Sequence, residues 1–204
     1  MESTKIGKTE KKRQQILLCA IELAGEKGYH QTTMEEIAAK LQMTKGSMYY
    51  YFDNKQTLFF ACQVYLMNEC IQFADEIVRA SHLTVEQKFA KLIEQHLLYI
   101  LKVKGNFDLM AIEKELFTQE QNATLKNLRD DYTAYVDVII IQYLTVHDLP
   151  VNEVTIRRNL LLNAMNGVIY WFSPNGLYNE QAIVHMVTKY LFAMIRSTDN
   201  EEVC

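Results

Sequence analysis

The residues best suited to contact another molecule are concentrated between positions 33 and 55. They are hydroxyl and ammonium donors, together with one glycine that permits a close approach: Thr33, Thr44, Lys45, Gly46, Ser47, Tyr49, Tyr50 and Lys55. Lysine and serine donate hydrogen bonds to base edges in the major groove, and a cation beside a helix N-terminus suits a phosphate. This set therefore predicts contacts to the bases and phosphates of double-stranded DNA.

Two short helices must position these side chains. Thr33 begins a capping box that opens a helix over 34–41, and Thr44 caps a second helix that runs to about residue 51. The break between them is only about three residues long, and the small side chains of Ala38 and Ala39 allow the two helices to approach closely. Such a pair is the skeleton of a helix-turn-helix motif, which we place at residues 33–52.

The run Tyr49-Tyr50-Tyr51 has two interpretations. Consecutive helical positions point about 100° apart, so the three rings cannot share one face. We expect Tyr51 to lie partly inward and the other two to face DNA. Packing of Tyr49 and Tyr50 into the core is the alternative.

The rest of the chain predicts further helices and no sheet. Only seven Gly and two Pro punctuate 204 residues, which is too few breakers for an all-β fold. Capping residues and apolar periodicity predict helices at about 10–27, 55–80, 84–103, 107–117, 121–146, 152–172 and 179–196, the last two capped by Asn152 and Asn179. The fold class is therefore all-α, with an N-terminal three-helix domain at 9–54 and a C-terminal helical domain at 55–204.

From Arg13 to Leu58 the chain closely resembles the DNA-binding domain of the tetracycline-repressor (TetR) family. The resemblance lies in GYHQTTMEEIAAKLQMTKGSMYYYFDNKQTL, with its Lys-Gly-Ser helix start and its Tyr-Tyr-Phe followed by Asn-Lys. It implies a DNA-binding N-terminal domain and a C-terminal domain that dimerises and binds a small molecule. The family commonly has Gly in the turn where this chain has Gln42. If Gln42 adopts a positive φ, the strain costs about 1 kcal/mol.

Charge is distributed unevenly along the chain. The net charge is −4, yet residues 1–60 hold nine Lys and Arg against seven Asp and Glu. Five of these cations form a basic arm at the start of the chain: Lys5, Lys8, Lys11, Lys12 and Arg13. The arm either reaches the DNA backbone or a minor groove, or is a solvated tail.

Other classes of protein find little support. No secretory signal or membrane-spanning run is visible, so we predict a cytoplasmic protein without membrane contact. The four cysteines are scattered, and the five histidines show no ligand spacing, so no metal or cofactor is expected. No catalytic motif occurs, which leaves a small helical enzyme as the weak alternative. A purely architectural DNA-binding protein would not need about 140 further residues rich in aromatic side chains.

The last two helices, at about 153–172 and 179–196, are apolar on nearly every side. Such helices must be covered all round, and one small domain cannot readily do this. We therefore predict a homodimer that pairs these helices across a two-fold axis, as the resemblance also implies. A monomer that buries both helices internally is the alternative.

Aromatic and methionine side chains on the middle helices suit the walls of an apolar effector site. The candidate ligand-binding residues are Tyr99, Phe107, Met110, Phe117, Tyr132, Tyr135 and Trp171. The segment AMNGVIYWFSPNGLYNEQAI resembles the branch of the family that senses acyl-coenzyme A thioesters. We therefore predict a repressor released from its operator by a small effector such as an acyl-CoA. A multidrug-type sensor is the alternative.

An acyl-CoA would need cations for its phosphates, and four are candidates: Lys102, Lys104, Arg157 and Arg158. The helix that begins at Lys55 is expected to connect effector binding to DNA binding, because it runs from the predicted DNA anchor into the ligand domain.

Overall fold

The computed structural model describes residues 7–102 and 114–197. Within these ranges the chain forms eight α-helices and no strand, as the breaker count predicts. The helices are α1 (Lys8–Gln31), α2 (Met34–Lys40), α3 (Lys45–Tyr51), α4 (Lys55–Arg79), α5 (Val85–Lys102), α6 (Gln119–Val146), α7 (Val154–Trp171) and α8 (Glu180–Arg196). Short 3-10 turns lie at Lys114–Leu116 and Val151–Glu153. Most of the predicted helix at 107–117 lies outside the described residues.

The predicted helix starts follow from local hydrogen bonds. The Thr33 and Thr44 hydroxyls accept from the backbone N–H groups of Glu36 and Ser47 at 3.2 and 3.1 Å. Asn54 and Asn179 cap α4 and α8 in the same way. These caps satisfy N–H groups that have no partner within the helix.

Three helix boundaries differ from the prediction. Asn152 does not cap α7, because it lies inside a 3-10 turn and the helix starts two residues later. Helix α6 starts at an unpredicted capping box in which Thr118 and Gln121 exchange hydrogen bonds of 3.0 and 3.1 Å. The basic residues from Lys8 onward form the first turns of α1 and not an extended arm; Lys5 lies outside the described part of the chain.

The chain divides into two compact units. Of the described residues, the first unit holds 7–68 and 114–127, and the second holds 69–102 and 128–197. The predicted domain boundary between 54 and 55 stays a prediction.

The first unit is built around the inner faces of α1 to α4. Ile16, Ile37, Met48 and Phe59 are all fully buried there. Helical geometry in α1 is interrupted at Gly28, whose φ of 84° is open to glycine but costly for other residues. The glycine therefore stands at the predicted end of the regular helix, and the last three residues of α1 lie beyond it.

The second unit has an aromatic centre made by three helices. Phe89 of α5 packs against Tyr143 of α6 and Phe192 of α8, with ring centroids 4.8 and 4.9 Å apart. Helices α7 and α8 each bury one face into this unit. No helix among the described residues is long and apolar enough to cross a membrane.

Candidate functional site

The turn between α2 and α3 is closed by backbone hydrogen bonds around Gln42. This residue has a φ of 52°, which is the left-handed conformation anticipated for a position where glycine is common. Its N–H donates to Ala39 O at 3.0 Å, and the next N–H, of Met43, donates to Ala38 O at 2.8 Å. This pair of bonds is a Schellman motif, which ends α2 sharply. The turn thereby sets where α3 begins.

Helix α3 packs against the core of the first unit on one face and is exposed on its other faces. Met48 is fully buried, and Tyr51 is half-buried, as predicted. The remaining side chains of α3 are exposed, and Tyr50 has 78% of its surface in solvent. A Cβ built at Gly46 would meet nothing within 4 Å, so packing within the protein does not require a glycine there. The exposed face can therefore meet another surface without any rearrangement of the core.

Lys45 and Lys55 are both positioned by contacts that the sequence did not reveal. Lys45 Nζ lies 2.8 Å from Glu35 Oε1 on α2, and both side chains are more than half exposed. Lys55 Nζ donates to His30 O at 3.1 Å and lies 4.2 Å from the centre of the Tyr29 ring. Burial, followed by the nearby charge of Lys27, lowers the pKa of Lys55 from its ordinary value of 10.5.

Arg13 links α1 to the end of α3. Its guanidinium carbon lies 4.3 Å from the centre of the Phe52 ring, and Nη1 donates to Tyr51 O at 3.3 Å. Arg13 therefore has a positioning role within the unit, which its place in a basic run did not indicate.

The structure brings together only some of the predicted ligand residues. In the second unit, Phe73 lies between Tyr99 and Tyr132, with centroid distances of 6.2 and 6.0 Å. Tyr135 is half-buried, and a hydrogen bond with Asp75 raises the pKa of its hydroxyl.

Three other ligand candidates have different surroundings. Phe117 belongs to the first unit, where it lies 6.2 Å from the ring of Phe60. Trp171 is the last residue of α7 and is 59% exposed. Phe107 and Met110 lie outside the described residues, as does Lys104.

A buried network of side-chain hydrogen bonds connects α5, α6 and α7. His96 Nδ1 lies 2.7 Å from the Tyr132 hydroxyl, and Nε2 lies 2.9 Å from Asn166 Oδ1. Because an amide oxygen only accepts, Nε2 carries the proton and Nδ1 accepts from Tyr132. Burial lowers the pKa of His96 to about 4, so the ring is neutral at pH 7. His96 is thus a core histidine with both ring nitrogens hydrogen-bonded.

An open cleft of about 270 Å³ lies near these hydrogen-bonded side chains in the second unit. It is lined by the aromatic rings of Phe73 and Tyr99, two carboxylates and two amides: Glu69, Gln72, Phe73, Glu76, Gln95 and Tyr99. Carboxylates and aromatic faces attract organic cations.

Two of the predicted phosphate-binding cations have internal partners. Arg157 is buried and donates to Glu153 Oε2 at 2.9 Å and to the carbonyl of Ser197 at 3.0 Å. Arg158 pairs with Asp137 at 2.5 Å. Arg157 therefore clamps the end of α8 and is not available to a ligand phosphate.

Two family models match the chain. One, for bacterial regulatory proteins of the tetR family, matches residues 16–62. The other, for the tetracyclin repressor-like C-terminal domain, matches residues 82–195, which is more than half of the chain. The chain belongs to the TetR family. It is therefore a DNA-binding transcriptional regulator that responds to a ligand, and not an enzyme.

Several known proteins resemble this one over most of their length. The "Fatty acid metabolism regulator protein" of Bacillus subtilis is 23% identical over 91% of this chain and 96% of its own. A structure of the transcriptional regulator FadR from Bacillus subtilis with stearoyl-CoA has a TM-score of 0.70, 20% identity, and coverage of 87% of this chain and 96% of that one. A structure of AibR with isovaleryl coenzyme A and operator DNA has a TM-score of 0.70, 24% identity, and coverage of 88% and 97%.

TetR-family membership fits the absence of a catalytic motif in the sequence. In the described part of the chain, no group of three or more His, Cys, Asp or Glu side chains could hold a metal ion. Sequence reasoning missed Glu35 and His96, which are the polar partners of Lys45 and Tyr132, and it missed Asn166, which in turn contacts His96. No local spacing signals them, because each meets its partner from a different helix.

Proposed function

We propose that the protein is a homodimeric repressor that reads a pseudo-palindromic operator with α3 of each protomer. The observation that carries this proposal is the exposure of Lys45, Ser47, Tyr49 and Tyr50 on a helix anchored by the buried Met48. A helix of this kind enters the major groove by its N-terminal residues. Two such helices related by a two-fold axis match half-sites about 34–36 Å apart.

The exposed faces of α7 and α8 support the dimer. Ile156 and Leu160 on α7 are 64% and 53% exposed and lie one helical turn apart. Tyr170 and Trp171 continue the exposed apolar surface towards the end of α7, and Tyr190 lies on α8. Exposed apolar side chains that share a helix face are typical of protein–protein interfaces. Two copies that pair these helices would cover them.

The effector that the relatives favour is an acyl-CoA. One similar protein is named as a regulator of fatty acid metabolism. Two similar structures contain a thioester of coenzyme A, stearoyl-CoA in one and isovaleryl coenzyme A in the other. The aromatic group around Phe73 suits the acyl chain. Lys102, which is exposed at the end of α5, is the remaining described candidate for a phosphate.

An organic cation is the second candidate effector, and the cleft favours it. Glu69 and Glu76 would attract a cation beside the rings of Phe73 and Tyr99, and they would repel a CoA phosphate. This would make the protein a multidrug-type sensor.

Either effector would act by favouring a dimer whose reading helices no longer fit successive major grooves. Helix α4 is the proposed connection, because residues 55–68 belong to the first compact unit and residues 69–79 to the second. By linkage, effector and operator weaken each other's binding by the same factor, which corresponds to a coupling free energy of about 1–3 kcal/mol.

DNA selection followed by mutation tests the reading helix. A duplex selected by the wild-type protein from a random pool serves as the operator. The Lys45→Ala, Ser47→Ala double variant should select a different site or lose discrimination. Lys55→Ala should weaken binding to selected and scrambled duplexes about equally and reduce the salt slope by about one. Unchanged site choice in the double variant would mean that other residues read the sequence.

Operator release tests the effector. Acyl-CoA thioesters of increasing chain length are added to the complex of protein and selected duplex, in parallel with aromatic cations. Release that strengthens with acyl length supports the first candidate. Release by the cations alone supports the second, and substitution of Glu69 and Glu76 by Gln should then weaken it.

A further inference from the structure

Lys45 already has an anionic partner in the free protein. Glu35 is the second residue of α2, Lys45 is the first residue of α3, and their charged atoms are 2.8 Å apart. The capping threonines Thr33 and Thr44 fix both helix starts, so the two side chains extend from defined points. Lys45 is also the single charged residue in the sequence of α3. The N-terminal end of α3 therefore presents an ion pair and not a free cation.

Both members of the pair are charged at neutral pH. The hydrogen bond to Lys45 lowers the pKa of the Glu35 carboxyl, and the same bond raises the pKa of Lys45. Lys45 Nζ also lies 5.8 Å from the centre of the Tyr49 ring, which helps to hold the ammonium over α3. Exposed ion pairs contribute little to stability, so this one has little value to the fold itself.

The neighbouring acidic residue has a different partner. Glu36 pairs with Lys27 of α1, and Glu22 of α1 pairs with Lys40 at 3.1 Å. Those two pairs connect α1 with α2 and leave α3 untouched. Glu35 alone among these three glutamates lies against the proposed DNA-reading surface.

We infer that Glu35 is a specificity-determining residue, which restrains Lys45 from neutralising phosphates and so penalises binding to non-operator DNA. This inference rests on the proposed function. An ammonium has three donors, and one is held by Glu35. A phosphate that approaches Lys45 also approaches a carboxylate of the same sign, whereas a guanine edge brings two neutral acceptors. In addition, the carboxylate can accept from a cytosine amino group.

A change in Glu35 should therefore act more strongly on non-specific binding than on operator binding. In Glu35→Gln, Lys45 becomes free to neutralise one phosphate. We expect the affinity for a scrambled duplex to rise about threefold to tenfold and its salt slope to steepen by about one. Affinity for the selected duplex should stay the same or fall. The ratio of the two affinities should therefore fall by about threefold to tenfold.

Glu22→Gln is the matched control. It removes the same charge from an exposed ion pair in the same unit, and the partner in that pair, Lys40, lies on α2 and not on α3. Its long-range effect should raise the affinity for both duplexes equally and leave their ratio unchanged. A Glu35→Gln, Lys45→Met double variant tests whether Glu35 acts through Lys45, because the gain in non-specific affinity should disappear when Lys45 is absent.

The full-length variants are compared by fluorescence anisotropy with both duplexes over 50–200 mM salt, a range of about fourfold in ionic strength. The inference is supported by a lower ratio in Glu35→Gln but not in Glu22→Gln, together with a gain in affinity for the scrambled duplex that is lost in the double variant. An unchanged ratio in Glu35→Gln, or an equal fall in Glu22→Gln, overturns it. Failure of the wild-type protein to enrich any sequence from the random pool would instead overturn the proposed function.

Discussion

At the scale of single residues, Gly46 is a position where a substitution should affect DNA binding without affecting the fold. A Cβ at this position meets nothing within the protein, yet the residue stands among the exposed donors of α3. Gly46→Ala should therefore leave the unfolding free energy unchanged or raise it by up to about 1 kcal/mol, since alanine is the better helix former. The added methyl group should weaken operator binding about tenfold or more.

Urea unfolding and operator titration of the same Gly46→Ala sample check this prediction. The unfolding result shows that the fold is intact, so a loss of affinity can be assigned to the DNA contact. Full operator affinity in this variant would contradict a close approach at Gly46.

Gln42 is the residue where the chain departs from the common glycine of the family's turn. Its φ of 52° is strained for a side chain with a Cβ. Gln42→Gly should raise the unfolding free energy by about 1 kcal/mol. Asp148, with a φ of 54°, offers a matched control. Asp148→Gly should gain less, because aspartate tolerates the left-handed region.

Chemical denaturation at one fixed protein concentration measures both variants, since the stability of a dimer depends on concentration. An equal gain at positions 42 and 148, or a loss at 42, would be incompatible with strain at Gln42.

At the scale of helices, the buried hydrogen bonds of His96 to α6 and α7 make the free energy of unfolding depend on pH. The pKa of His96 is about 4 in the folded protein, against its ordinary value of 6.5. Between these values the unfolded chain binds a proton that the folded chain does not. The stabilisation is therefore complete above pH 6.5 and is lost as pH falls towards 4. We expect a loss of about 2 kcal/mol between pH 7 and pH 5.

Urea unfolding at several pH values measures this loss, and His96→Gln is the comparison. Glutamine stays neutral and keeps both a donor and an acceptor, so the slope between pH 6.5 and 5 should flatten. The exposed carboxylates of Glu35 and Glu36, whose pKa values are lowered, lose their stabilising effect only below about pH 4.5. The same slope in the variant and the wild type would exclude His96 as its source.

At the scale of the whole molecule, the proposed homodimer places the exposed apolar residues of α7 against a second copy of the chain. Leu160 lies within this surface, and Leu160→Glu would place a charge in an apolar interface. We expect this variant to be a monomer at micromolar concentration, and we expect the wild-type protein to be a dimer under the same conditions. Native mass spectrometry and sedimentation measure the change directly.

Val146→Glu is the control for the dimer prediction. Val146 is the last residue of α6 and is 58% exposed, which is close to the exposure of Leu160. This variant should remain a dimer. A dimeric Leu160→Glu variant would exclude α7 as the proposed interface.

The amino-acid sequence by itself determined the helical fold, the helix-turn-helix register and the TetR family. These features depend on interactions close in sequence. The Thr33, Thr44 and Asn179 caps each join a side chain to a backbone N–H three residues later. Apolar periodicity is likewise a property of one helix at a time. Local rules are sufficient for such features.

The tertiary structure decided which side chains become partners. His96 meets Tyr132 and Asn166, which are 36 and 70 residues further along the chain. Arg157, considered from the sequence as a phosphate ligand, instead holds Ser197, 40 residues away. Each of these contacts depends on how whole helices pack against one another. Many residue pairs have suitable chemistry, and only the packing of the core selects those that come within hydrogen-bond distance.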